Sequence, residues 1–439
     1  MKLSSYNFFV EQPNIVICYN TISDNFLAIS HSAYQQVLAC KENIDLLRQS
    51  NTKIFNQLHD NGFVVDSELD ELSYLRFRNK RECFSQEYDI TIIPTLDCNL
   101  KCWYCWEKHI ENSIMSEEIQ EAIVKHVKNE LIQGRINQLN IEWFGGEPFL
   151  AFDKVVNPLG TKLVNLAHEY KIPFASTFIT NATLINPSMI DKLNEFNSYF
   201  QITIDGHREK HNKVKTYKST SGDAYCRVIE NLHLLTDKLP NTIGLRINFD
   251  DNTLNKFDEI LDDIKDIDKN KISIYFERVW QTKSLGNNGK LKDALIKASM
   301  LGFKTEYGNF NTRSYCCKSD RYSQIGFNYD GKIYKCTGRP FIDENSDGEI
   351  LPNGDIILRE DKIFKRTGLS TFENKKCLEC KMLPQCAGPC SSKCIENNWQ
   401  NIEELCALKG MEMTMDEYIV FMFANRYQLQ KHQNAVHNE

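Results

Sequence analysis

The stretch Cys98-Asn-Leu-Lys-Cys-Trp-Tyr-Cys105 constrains this chain more than any other. Its three thiols stand at spacings of four and three residues. They follow the apolar run Ile90-Thr-Ile-Ile-Pro94, which reads as a strand. Three thiolates on one short loop can hold three corners of an iron–sulfur cube and leave the fourth iron without a protein ligand. A structural zinc site wants four closed ligands, often as paired C-x2-C knuckles, and three thiols do not supply that. Buried spectator cysteines are the plainer alternative, because free cysteine is common in cores.

From residue 87 to about 277, strand-like and helix-like stretches alternate. Candidate strands are 88–94, 139–144, 174–179, 199–204, 243–249 and 272–276. Helical patterns lie near 116–133, 155–170, 187–196, 223–238 and 253–267. Six such repeats imply parallel strands with helices outside, an α/β fold of the partial (β/α)6 TIM-like barrel type spanning residues 86–285. A barrel of this kind carries its reactive residues at the C-terminal ends of its strands. The cysteine loop follows the first strand. Trp143-Phe-Gly-Gly-Glu-Pro148 ends the second, where Gly145 and Gly146 permit close approach to a ligand and Glu147 can receive an ammonium group.

Two different segments flank this core. Residues 1–85 contain short β-type runs at Phe8–Val10, Ile15–Ile17 and Phe26–Ile29, then small helical patterns, one of them capped by Thr52. They predict a winged-helix-like module. Residues 286–410 are rich in Gly, Asp, Asn and Cys, with hairpin signals at Tyr329-Asp-Gly-Lys332 and Pro352-Asn-Gly-Asp355. So little apolar material predicts a shape that depends on metal cross-links. Residues 411–439 read as a helix with a polar tail.

Charge and cysteine usage narrow the setting. Lys+Arg 52 against Asp+Glu 59 gives −7, so no nucleic-acid partner is expected. No apolar run reaches membrane-spanning length and no basic, apolar leader opens the chain, which predicts a cytoplasmic protein with no membrane partner. There, sixteen cysteines point to metal rather than disulfides. Cys18, Cys40, Cys83 and Cys226 stand alone, three cluster at 98–105, and nine lie from Cys316 to Cys406.

On these motifs the chain resembles radical S-adenosylmethionine enzymes: C-x3-C-x2-C after strand one, an aromatic before the last Cys, and G-G-E-P after strand two. The resemblance implies a [4Fe-4S] cluster on Cys98, Cys102 and Cys105, with S-adenosyl-L-methionine bound at the open iron. It implies Gly145, Gly146 and Glu147 around the methionine ammonium, and Tyr104 near the adenine. Thr203 and Asp205, in Thr203-Ile-Asp-Gly206, match a pattern that usually begins with Ser, which places Thr203 by the ribose. Asn181 lies in Thr180-Asn-Ala-Thr-Leu184, similar to T-N-G-T-L with Ala182 replacing Gly. Reductive cleavage of the cofactor implies a one-electron donor such as flavodoxin or ferredoxin.

The later cysteines resemble a SPASM domain, which in that family carries two auxiliary iron–sulfur clusters. Carried over, Cys377, Cys380, Cys386 and Cys406 hold one. Cys336, Cys390 and the Cys316/Cys317 doublet hold the other; either both members of the doublet ligate, or one does and an iron stays open. Cys394 has no place in the pattern.

Two reaction classes compete among such proteins. Sulfatase-maturing enzymes make formylglycine and carry an Asp just after the Cys of G-x4-C; here that position is Thr337. The other class matures ribosomally made peptides by thioether or carbon–carbon cross-links, often with an N-terminal module that binds a precursor peptide by adding a strand to a sheet edge. Residues 1–85 favour the second class. An inactive scaffold is a third reading, against which the intact cysteine triplet argues. The catalytic acid or base is not identified by the sequence.

Overall fold

The computed structural model describes residues 1–219, 221–279, 281–282, 286, 288–307, 316–368, 372, 374–397, 400 and 402–436. Near the N-terminus, β1 (Asn7–Glu11), β2 (Val16–Asn20) and β3 (Asn25–Ile29) form an antiparallel sheet in that order. One face buries Val16 and Cys18 against Val37, Leu47, Phe55 and Leu58 of the helices His31–Ala39, Asp45–Ser50 and Thr52–Asp60. The other face sends Val10, Ile17 and Tyr19 into the main core. Thr52 is not the helix cap predicted. Asn51 is, accepting from the Ile54 amide, while the Thr52 hydroxyl bonds back to Arg48. The Asn51 side-chain oxygen satisfies an unpaired donor of the first turn from the position before it. The helix Glu71–Cys83 then leads to the central sheet.

All six candidate strands form: β4 (Glu87–Ile93), β5 (Gln138–Trp143), β6 (Phe174–Thr180), β7 (Ser198–Ile204), β8 (Ile243–Phe249) and β9 (Ile272–Arg278). They are joined by helices such as Glu117–Ile132, Asn157–Glu169 and Ala224–Lys238. Two further strands, β10 (Lys304–Tyr307) and β11 (Gln324–Asn328), extend the sheet at its two ends. The parallel order is β10-β9-β8-β7-β6-β5-β4-β11. The six expected repeats are thus flanked by two further parallel strands, and the sheet continues past residue 285. The added strands pair with the outer backbone groups of β9 and β4, which would otherwise lie unpaired at the sheet edges. Both predicted hairpins are present beyond β11, and Gly331 and Gly354 take the positive φ their turns require.

Alternation along the strands sorts the side chains. Ile90, Ile92, Leu139, Ile141, Trp143, Phe178, Ile202, Leu245 and Ile274 pack under the helices. The opposite, concave face carries Asp89, Asn140, Glu142, Arg246, Asn248, Tyr275 and Glu277. The barrel thus has an apolar shell and a polar lumen.

The C-terminal helix Met415–Val436 buries Tyr418, Ile419, Phe421 and Met422 in the main core. Phe423 packs on Phe26 of β3, Asn425 bonds Ser299, and Arg426 pairs with Asp24. The segment predicted as helix and tail ties the N-terminal sheet to the barrel. No described helix is long and apolar enough to cross a membrane.

Candidate functional site

The cysteine loop leaves β4 and lies against the Gly145–Glu147 turn after β5. The contact is backbone on backbone: Gly146 N donates to Thr95 O at 3.1 Å and Glu147 N to Asp97 O at 2.9 Å. A Cβ on Gly146 would stand 2.1 Å from the Asp97 carbonyl oxygen, and one on Gly145, at φ +114°, 2.5 Å from that of Thr95. The sequence reading gave both glycines to a ligand. In the structure their lack of a side chain already serves the fit of these two loops.

Glu147 is fully buried and its carboxylate accepts from Thr180 Oγ1 at 2.7 Å, Phe149 N at 3.1 Å and Asn181 N at 2.9 Å. A carboxylate has about four acceptor positions, so one remains for an ammonium group. Burial, opposed by these donors, raises its pKa. Asn181 also turns its side-chain amide to Cys98 Sγ at 3.8 Å and to Asn99 Oδ1 at 3.0 Å. Ala182 takes φ +60° there, the conformation that glycine adopts more readily.

Burial pushes the Cys98 thiol up to about 12, with Glu147 adding to it, and pushes Cys102 up to about 11. Cys98, Cys102 and Cys105 influence one another electrostatically, so the loop gathers them. Cys105 faces His109 Nε2 at 3.6 Å. Such thiols bind metal only by releasing protons, and a bound cation favours that release. No three His, Cys, Asp or Glu side chains among the described residues converge on a point for a single metal ion. A cube sets its thiolates at separate corners, so holding a cluster does not require the three thiols to meet at one point.

Across the mouth of the lumen runs a network that the sequence did not reveal. Asn248 Nδ2 donates to Tyr104 OH at 3.0 Å and to Asp205 Oδ1 at 2.9 Å. Lys215 Nζ lies 3.3 Å from Asp205 Oδ2 and donates to Thr203 O at 2.9 Å. The backbone of Asp205 donates to His211 Nδ1. Burial would raise the Asp205 pKa, but Lys215, His211, Asn248 and Tyr104 together hold it low. Tyr104 is therefore anchored in the barrel, while Trp103 is the exposed ring of the loop. Glu107 is a further acid missed by the sequence reading: burial, then Glu147, pushes it up to about 8.

The C-terminal thiols form two groups. Cys377, Cys380, Cys386 and Cys406 line one cavity of about 210 Å³ with Leu383 and Pro389. Burial and then Cys386, Cys380 and Cys406 push Cys377 up to about 12. Four thiols around one apolar cavity fit a four-iron cube. In the second group Cys317 neighbours Cys336, and Arg339 neighbours both Cys390 and Cys336. Cys394, one helical turn after Cys390, adjoins it. The doublet is split. Cys316 is buried in a thiol–thiol hydrogen bond with Cys83, at the end of the helix Glu71–Cys83. Successive side chains of an extended segment point to opposite sides, and Cys317 is extended at φ −63°, ψ 141°.

Arg278, after Glu277 on β9, pairs with Glu412 and with Asp251 at 3.4 Å on the outer side of the strand.

Residues 92–264 match the model of the Radical SAM superfamily. A radical SAM cyclopropyl synthase, TigE of Paramaledivibacter caminithermalis, is 22% identical over 391 residues, which are 80% of this chain and 78% of that protein. The solved structure of anSMEcpe with bound AdoMet and Cp18Cys peptide matches 80% of this chain and 98% of its own, at TM-score 0.54 and 20% identity. Streptococcus suis SuiB bound to precursor peptide SuiA matches 90% and 96%, at TM-score 0.50 and 15% identity. At these identities the two structures speak for the fold.

Proposed function

We propose that this chain, a radical SAM enzyme with a SPASM-like C-terminal region, matures a ribosomally made precursor peptide by forming an oxidative thioether or carbon–carbon cross-link. When bound, a [4Fe-4S] cluster and S-adenosyl-L-methionine supply the 5′-deoxyadenosyl radical that removes hydrogen from the substrate.

The chain's own residues provide placement. Cys98, Cys102 and Cys105 hold the cluster, and Asn181 steadies the Cys98 sulfur. The backbone of Gly145 and Gly146 and the remaining acceptor position of Glu147 take the amino acid end of the cofactor. Tyr104 and Thr203 border its nucleoside end, fixed by Asn248 and Lys215. Cys377, Cys380, Cys386 and Cys406 would hold one auxiliary cluster, and Cys317, Cys336 and Cys390 a second. A reducing cytoplasm suits sixteen free thiols, with flavodoxin or ferredoxin as electron donor.

The observation that carries the peptide reading is the free edge of the N-terminal sheet. Its β1 edge is occupied: Lys381 Nζ donates to Asn7 O at 2.9 Å and lies over the Phe8 ring. Strand β3 has β2 on one side and, among the described residues, no strand on the other. A cleft of about 610 Å³ opens at its Asn25 end, lined by Tyr74, Arg78 and Arg426 among others. A peptide strand added to β3 pairs its backbone whatever its side chains, leaving the rest of the peptide free to reach the lumen.

The test uses the peptide encoded beside the gene, as made and with alternate backbone nitrogens of its leader methylated. Mass spectrometry should show a loss of two hydrogens per cross-link for the first peptide and little for the second. Equal modification of both would remove strand addition from the reading.

A further inference from the structure

We propose that Glu277 is the proton acceptor of the cross-linking step, facing the substrate from the lumen of the barrel. This rests on the peptide cross-linking reading. Joining a carbon to a partner atom X breaks one C–H bond and one X–H bond and forms C–X. The carbon's hydrogen atom goes to the 5′-deoxyadenosyl radical, giving 5′-deoxyadenosine. The X–H proton needs a base, and the one remaining electron goes to an oxidised iron–sulfur cluster. Thr337, after Cys336, offers no base.

The lumen carboxylates separate clearly. Asp89 is held by Arg321 and Asn140, Glu142 by Lys318 and Thr91, and Asp205 by Lys215 and Asn248. Glu306 pairs with Lys304. Glu277 has no hydrogen bond or ion pair with any described residue. Its neighbouring cation, Arg246, already donates through Nε to Asn248 Oδ1 at 2.9 Å. Glu277 is nevertheless mostly enclosed, and burial raises its pKa against the pull of Arg246. An enclosed carboxylate shifted upward is a better base near neutrality than a solvated one.

Its position fits the role. Glu277 is opposite Asn248 in the β8–β9 register, and Asn248 bonds Asp205 at the tip of β7. Asp205, Asn248 and Glu277 thus form a row across three adjacent strands. At about 4.8 Å per strand, Glu277 stands roughly 10 Å from the Asp205–Tyr104 contact. A substrate group between them would meet the cofactor on one side and the carboxylate on the other.

The experiment measures cross-linked peptide per deuterated 5′-deoxyadenosine, using the gene-adjacent peptide with perdeuterated residues, under anaerobic turnover. Glu277→Gln should lower that ratio about 100-fold, within the usual range for a lost general base, with KM for the peptide little changed. Glu277→Asp should restore part of it. A wild-type ratio in Glu277→Gln, or a drop confined to Glu107→Gln, overturns the inference. So does a large rise in KM with an unchanged ratio, since that marks peptide positioning alone. A wild-type enzyme that removes no hydrogens from the peptide overturns the peptide reading and this inference together.

Discussion

Lys215 Nζ lies 3.3 Å from Asp205 Oδ2, with both side chains almost fully buried. The two residues stand on separate segments, Asp205 after β7 and Lys215 on the short strand Lys215–Tyr217 that pairs with Leu100–Cys102. The pair therefore ties the cysteine loop to the barrel mouth. Removing one member leaves a buried, unpaired charge, which costs about 3–5 kcal/mol. Lys215→Met should lose that much in urea unfolding, and adding Asp205→Asn should recover part of it. A loss under about 1 kcal/mol would mean that water reaches Asp205.

Gly146→Ala should damage the proposed cofactor site by forcing apart the two loops that meet there. The new methyl group meets the Asp97 carbonyl oxygen at 2.1 Å, and backbone cannot swing aside as a flexible side chain can. Overpacking of this kind typically costs about 1–3 kcal/mol. Here it should also displace Cys98, next to Asp97, and lower the iron bound at that loop. Unchanged iron content and melting temperature would show that the two loops separate easily.

The split doublet gives opposite outcomes for neighbouring cysteines. Cys317→Ser should reduce auxiliary-cluster iron, because Cys317 lies beside Cys336. Cys316→Ser should retain that iron, because its thiol is turned to Cys83. Iron analysis and electron paramagnetic resonance of the reduced proteins compare the two. Equal iron loss would place both thiols on the cluster.

His211 gives the fold a sensitivity to acid. Burial, then Lys215, lowers its pKa from 6.5 to about 3, and its Nδ1 accepts from the Asp205 amide. A folded pKa below the unfolded one stabilises fully above about 6.5 and is lost as pH falls toward about 3. Replacing His211 with Gln should flatten the fall of melting temperature across that window. An identical pH slope in the variant would assign the acid sensitivity to other groups.

The sequence by itself determined what is local. Apolar-rich runs bounded by turn residues located the six repeat strands, since the strand face under the helices must be apolar even where the lumen face is polar. Each hairpin declared itself through an Asp-Gly or Asn-Gly pair that tolerates positive φ. Spacing placed Cys98, Cys102 and Cys105 on one loop, and the SPASM resemblance grouped Cys377, Cys380, Cys386 and Cys406, which the structure brings around one cavity.

Only the tertiary structure decided the rest. Strands β10 and β11 are four and five residues long and find their place through backbone pairing with β9 and β4. Nothing in their side chains names those partners. Cys83 was read as a solitary thiol and the Cys316/Cys317 doublet was left open between two ligands and one; chain folding sets Cys316 against Cys83. Lys215 and Asn248 are unremarkable in sequence, because a lone polar residue in a strand reads the same whether it faces water or a lumen. Their meaning comes from burial, which makes each charge or donor depend on the partner that packing supplies across the barrel.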